Sequence, residues 1–203
     1  MPRLLACLLV AATALLAGCD AGAPGGGDPD RVVLMTIRLE NTEDSGDAVT
    51  ITARDRDGDG TFSFTPRRMT LRRGGDYEGT VEALETAGGE DLVATIRAAP
   101  DEYVFSYHMW TDDGFNVVNS PAFASDRETD YDPEGREEWP VGLRFRLGVT
   151  PVSSGSGTFS ADLRRYESGA KEANSTRYVM IDLQFAFPVR VVDPSAGAQA
   201  PGP

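Results

Sequence analysis

The chain has little of what metal centres, disulfide scaffolds and nucleic-acid surfaces are made from. Among its 203 residues there is one histidine, His108, and there are two cysteines, Cys7 and Cys19. A single histidine excludes a His-rich metal site and leaves one candidate for any histidine-centred triad. Two cysteines exclude a disulfide framework and a four-cysteine zinc site. Lysine is equally scarce: Lys171 is the one lysine among 19 basic residues, the rest being arginine. Against these stand 32 Asp and Glu, for a net charge of −13. That balance excludes nonspecific nucleic-acid binding, which needs a basic face to neutralise phosphates. Nor does the chain hold an apolar run of the about 20 residues that a transmembrane helix requires.

What is present begins with an address. Arg3 gives a short positive start, and Leu4 to Leu16 is apolar except for Thr13. A charged start, a short apolar stretch and small residues at its end describe a secretory signal over residues 1–18. The stretch closes on Leu16-Ala17-Gly18-Cys19. This tetrad resembles the lipobox of bacterial lipoproteins. The resemblance implies that Leu16, Ala17 and Gly18 are recognised by signal peptidase II and that Cys19 receives the lipid. Removing residues 1–18 takes away only Arg3 among the charges, so 18 basic residues would face 32 acidic ones, a charge of −14. Each buried CH2 of an acyl chain contributes about 0.8 kcal/mol, so two or three chains hold a protein firmly on a membrane.

After Cys19 the sequence DAGAPGGGDPD, Asp20 to Asp30, has no large apolar side chain. Residues 19–30 therefore read as a lipidated cysteine and flexible tether, with a mean reach of roughly 15–20 Å. Asp20 matches an inner-membrane retention signal of some bacteria, a rule that differs between groups, so the choice of membrane stays open. Residues 193–203, DPSAGAQAPGP, read as a disordered tail.

Between them, residues 31–192 alternate with a period of two. The apolar positions are Val33, Met35, Ile37 and Leu39; Val49, Ile51 and Ala53; Met69 and Leu71; and Tyr77, Val81 and Ala83. An aromatic stripe follows at Tyr103, Phe105, Tyr107 and Met109. Further on come Val141 to Val149, Phe159 to Leu163, and Val179 to Phe187. Strict alternation indicates strands packed on one face and wet on the other, and Gly, Pro, Asp and Ser clusters separate the runs. About eight such strands predict an all-β fold, an antiparallel β-sandwich of the immunoglobulin-like or Greek-key kind. One segment departs: Leu92, Val93 and Ile96 fall at helical spacing, with acids before them and Arg97 after, predicting one short helix over 90–97 that ends before Pro100.

A second resemblance rests on the order of these parts. The lipobox leads to an early strand, then to the turn Asp55-Arg56-Asp57-Gly58-Asp59-Gly60, a Tyr77-Glu78-Gly79-Thr80-Val81 strand, and an acidic helix running into an aromatic strand. A last pair contains Asp162-Leu163-Arg164-Arg165 and Ile181 to Phe187. The order resembles a group of uncharacterised Bacteroidetes-type envelope lipoproteins, which implies the fold and an envelope location. Members carry histidines where this chain has Tyr103 and Arg165.

Candidate sites follow from residue type. Asp55, Asp57 and Asp59, with Gly60, place alternate carboxylates in a tight turn of the sort that supplies oxygens to calcium. The first half resembles an EF-hand loop; the twelfth position, which should be acidic, is Pro66. A plain hairpin turn fits the same residues. The loop Ser125 to Trp139 holds seven acids and two arginines, and reads either as a cap over a binding face or as a solvated loop. Tyr131 and Trp139, with Trp110, Phe115 and Phe123, could stack on a ligand or pack at the core edge. His108 sits with Val104, Ser106 and Trp110 on the face opposite the aromatic stripe, a position more often structural than catalytic. Asp162 and Asp182 could pair with Arg144, Arg146 and Arg164 if their strands are neighbours, or serve as two hydrolytic carboxylates.

These readings lead to a lipid-anchored cell-envelope protein with a non-catalytic binding or scaffolding domain. Its partners would be membrane lipid, through the acyl anchor, and an envelope protein or transporter. The alternative is a ligand- or calcium-capturing lipoprotein beside an envelope transporter; a carbohydrate-active enzyme ranks third.

Overall fold

Alternation in sequence becomes alternation in burial along the first strand, and it slips once. In β1 (Val32–Asn41), Met35, Ile37 and Leu39 are buried and Arg38 is exposed. Val33, expected inward, is half-buried, while Val32 and Leu34 are inside. A register shift between Val32 and Leu34 in the pairing with β5 (Asp76–Thr86) is responsible. A second shift, between Thr36 and Ile37, seats Ile37 opposite Val81 and Thr36 opposite Ala83. The extra residue turns Leu84, not Ala83, into the core. Such bulges reverse which parity faces inward.

The structure is a computed structural model, described over residues 29–111, 116–118, 124–134, 139–149, 155–166, 171 and 178–193. The remaining strands are β2 (Ala48–Arg54), β3 (Ser63–Thr65), β4 (Met69–Arg72), β6 (Tyr103–Thr111), β7 (Asn116–Val118), β8 (Arg144–Gly148), β9 (Gly155–Tyr166) and β10 (Tyr178–Val192). They form two five-stranded sheets, ordered β3-β2-β1-β5-β8 and β4-β10-β9-β6-β7. In the first sheet β1, β2 and β3 follow one another and β5 returns beside β1, which is a Greek key. Neighbours are antiparallel except β4 and β10, which run parallel. The fold is an all-β sandwich.

One apolar core lies between the sheets. Met35, Ile37, Leu39 and Ile51 from the first meet Phe105, Tyr107, Phe159, Phe185 and Phe187 from the second. Each such side chain, fully buried, contributes about 1.5–3 kcal/mol. At the centre the Tyr107 and Phe145 rings stack with centroids 4.0 Å apart. Phe145 faces Gly79 across the β5–β8 ladder, and a Cβ on Gly79 would clash with the edge of the Phe145 ring.

The predicted helix is present as α1 (Leu92–Ala98), carrying the chain from β5 in one sheet to β6 in the other. Asp91 caps it, its carboxylate accepting from the amides of Val93 at 3.0 Å and Ala94 at 3.2 Å. Leu92, Val93 and Ile96 are the buried face.

The chain enters and leaves this sandwich at opposite ends. Gly88 N donates to the Pro29 carbonyl at 2.9 Å and Ala87 N to Arg31 at 2.7 Å, so residues 29–31 dock on the turn after β5. At the other end, Arg73 N donates to the Val192 carbonyl at 2.8 Å, and Arg73 Nη1 pairs with Asp193 at 2.9 Å. No helix of the described residues is long and apolar enough to cross a membrane.

Candidate functional site

Four regions hold the polar side chains that the sequence brought forward. The acidic turn lies beside the point where the chain enters the sandwich. Asp55, Asp57 and Asp59 each bring a carboxylate oxygen within 4.8 Å of the others. Asp57 and Asp59 are exposed, but Asp55 is buried and its oxygens are already engaged. Oδ1 accepts from Gly58 N at 2.8 Å; Oδ2 accepts from Gly60 N at 3.0 Å and faces Arg31 Nη2 at 3.2 Å. Arg31 Nη1 also donates to the Gly58 carbonyl. Burial pushes the Asp55 carboxyl up, yet the Gly60 and Gly58 amides and Arg31 outweigh it and hold the group below its ordinary value. Asp59 is spent on the turn itself, accepting from Thr61 N at 2.6 Å. Arg31 therefore supplies the positive charge that a cation would otherwise bring.

The acidic loop is not a solvated run throughout. Asp126 and Glu128 are buried, and each organises part of the loop. Asp126 Oδ1 accepts from Gly142 N at 2.7 Å, and Oδ2 accepts from the Tyr131 hydroxyl at 2.7 Å and Arg144 N at 3.1 Å. Tyr107 reaches the same strand end from the core, donating to the Gly142 carbonyl. Gly142 has φ 88° and lies against Phe105, so both its backbone and its packing require glycine. Glu128 Oε1 pairs at 3.2 Å with Lys171 Nζ, which also donates to the Pro100 carbonyl at 2.6 Å. Burial lowers the Lys171 pKa, and Glu128 partly restores it. Arg144 and Asp130 close the rim at 3.0 Å.

The aromatic pair expected to bind is drawn inward. Tyr131 packs on the core, and burial together with Asp126 raises its phenol well above the usual range. Trp139 is half-buried, and its carbonyl accepts from Glu128 N at 3.1 Å. Phe115, Phe123 and the side chains of Trp110 and Asp182 lie outside the described residues, as do Leu16, Ala17, Gly18 and Cys19.

On the outer face of the second sheet, β6 and β9 set Ser106 opposite Asp162 and His108 opposite Ser160. Arg144 and Arg146 are not near Asp162. They lie on β8 in the other sheet, where they pair with Asp130 and Glu78. On the outer face of the first sheet, toward the end away from residues 29–31, lies a groove of about 400 Å³. Arg38, Glu40, Asn41, Glu78 and Thr80 line it.

No protein-family model and no curated protein matches this chain.

Sequence reasoning missed Asp126, Glu128, Gly142 and Lys171 as a connected unit. One signal was available. A chain that uses arginine almost everywhere keeps a lysine at the position that needs a compact ammonium with few donors.

Proposed function

We propose that this chain is a lipid-anchored cell-envelope protein whose β-sandwich binds or scaffolds a partner and carries out no catalysis. The observation that carries the reading is the order of the N-terminal parts. An apolar stretch ends on Leu16-Ala17-Gly18-Cys19, and a tether without large apolar side chains follows. The tether would end where residues 29–31 dock on one end of the sandwich. An anchor at Cys19 leaves the opposite end, with the groove at Arg38, Glu40 and Glu78, directed away from the membrane. Its mixture of both charges suits a polar protein surface, such as an envelope transporter or its partner.

The calcium- or ligand-capturing alternative draws on the three carboxylates of the acidic turn. The Arg31–Asp55 pair counts against it, because a cation entering there must displace a charge already bound.

Metabolic labelling with an alkyne fatty acid, followed by membrane fractionation, tests the anchor. The wild-type chain is expected to be labelled and membrane-bound, and Cys19→Ala unlabelled. A wild-type chain that is cleaved elsewhere and released without label overturns it. A photo-crosslinker at Thr80 then tests the groove, expected to capture a membrane-associated protein that a crosslinker at Asp57 does not.

A further inference from the structure

The groove on the outer face of the first sheet holds an arrangement of charge that a sheet by itself does not favour. Strands β1 and β5 form its floor, and Glu40 and Glu78 are direct partners across that ladder. Opposed positions put Cβ atoms about 4.5–5.5 Å apart, and like charges there are destabilising. Each carboxylate has one arginine beside it. Arg38 Nη2 donates to Glu40 Oε2 at 2.9 Å. Arg146 Nη2 stays 3.8 Å from Glu78 Oε1, with the two side chains 67% and 62% exposed, so Glu78 is only loosely compensated. The loop after β1 brings Thr42 and Ser45 to the lining. Glu43 on that loop, and Asp76, whose carbonyl accepts from Thr42 N at 2.8 Å, are exposed and make no ion pair among the described residues. Arg72 is already taken up by Asp44 at 2.9 Å and Asp47 at 3.2 Å. Acid therefore exceeds base at this end of the sandwich.

A cation seated between Glu40 and Glu78 removes the repulsion that the ladder imposes. An anion would meet both carboxylates, and the lining has no aromatic ring on which a sugar could stack. Among the cations a protein partner offers, arginine suits two adjacent carboxylates. Its planar fork reaches both at once, whereas an ammonium is a point charge. The groove's volume of about 400 Å³ is at the low end for ligand pockets and admits one long side chain with the backbone on either side of it. Arg38 spends one N–H on Glu40 and has others to donate to the guest's backbone carbonyls, as have the Ser45 and Thr80 hydroxyls. On the reading that the groove is the partner's docking site, we propose that it takes an arginine-bearing segment of an envelope protein, the guanidinium bridging Glu40 and Glu78. Arg146 competes with the guest for Glu78 and supplies a test of sign.

The test uses the full chain, purified in detergent and isotopically labelled for amide NMR, and the capped peptide Gly-Ser-Arg-Ser-Gly. The same peptide with citrulline for arginine keeps the shape and loses the charge. The expected result is saturable amide shifts confined to the groove, around Glu40, Glu78 and Thr80, with the citrulline peptide binding several-fold more weakly. Glu40→Gln and Glu78→Gln are each expected to weaken binding several-fold, and Arg146→Gln to strengthen it by a similar factor. Neutralising either glutamate removes an opposed pair of like charges, so the thermal midpoint of these variants should hold and a loss of binding is not a loss of fold. Shifts that spread over the acidic surface without saturating overturn the proposal, as does equal binding of the citrulline peptide. Weaker binding in Arg146→Gln also overturns it, since that sign belongs to an anionic guest. The photo-crosslinker at Thr80 separates this chemistry from the docking reading itself. Capture of a membrane-associated protein through a peptide that lacks arginine, with no shifts from the arginine peptide, keeps the docking site and overturns its preference for arginine. Saturable arginine-dependent shifts with no protein captured at Thr80 overturn the envelope partner and leave the groove's recognition of guanidinium standing.

Discussion

Lys171 Nζ lies 3.2 Å from Glu128 Oε1, and the two side chains are 6% and 3% exposed. A charge pair so far from water is held by geometry: the ammonium also donates to the Pro100 carbonyl, and Glu128 sits in the 3-10 turn Glu128–Asp130. Removing one partner takes from the other its buried counter-charge. Lys171→Met is expected to cost about 3–5 kcal/mol, measured from the urea midpoint. Adding Glu128→Leu to it should restore most of that loss, because an apolar pair of similar volume carries no uncompensated charge.

Asp126 is the acceptor for three donors from different parts of the chain: the Gly142 amide, the Arg144 amide and the Tyr131 hydroxyl. Asp126→Ala leaves them without a partner and should cost at least about 3 kcal/mol in urea unfolding. Asp126→Asn keeps an acceptor oxygen and should cost clearly less. Equal losses would show that packing volume, not acceptance, is what the carboxylate provides.

Gly79 leaves room for the Phe145 ring across the ladder. Gly79→Ala is expected to destabilise by about 1–3 kcal/mol through overpacking. Phe145→Leu in the same chain should recover part of this, a non-additivity that a double-mutant cycle reads directly.

At the acidic turn, the thermal midpoint is expected to respond to millimolar calcium no more than to magnesium, since Arg31 already neutralises Asp55. Asp55→Ala should lower the midpoint and Asp57→Ala should leave it unchanged. The Asp55 carboxyl is held below its ordinary value, so its contribution is present above the unfolded pKa of about 3.9. It is lost as pH falls through the lower folded value. Asp55→Asn should flatten that acid limb. A calcium-specific rise abolished by Asp57→Ala would instead make the turn a cation site.

Alkaline unfolding should be governed by tyrosine. Burial raises the phenols of Tyr77, Tyr103, Tyr107 and Tyr131, that of Tyr77 to about 12. Unfolded phenols ionise near 10, so the folded state holds more protons between about 10 and 12 and loses stability through that window. Lys171, with its lowered pKa, acts in the opposite sense but is one group against four. Tyrosinate absorbance should therefore rise for the buried phenols together with unfolding, and the Tyr77→Phe variant should lose less stability across the same window.

The sequence by itself determined the class of fold. Apolar residues at every second position can be buried only in strands with one dry face, and the spacing of Leu92, Val93 and Ile96 fits only a helical turn. It also determined what was excluded, because composition limits chemistry before any folding occurs. The tertiary structure decided where alternation breaks, since the bulges that leave Val33 half-buried and turn Leu84 inward depend on the strand opposite. It decided that Asp55 is the structural partner of Arg31, Asp126 that of the Gly142 and Arg144 amides and the Tyr131 hydroxyl, and Glu128 that of Lys171. It also set His108 and Ser106 beside Asp162. A carboxylate's role follows from what stands within about 3 Å of it, and for these residues the neighbours come from distant parts of the chain. Periodicity is a local property that the sequence displays, whereas the partner of a charge is set by which strands pair.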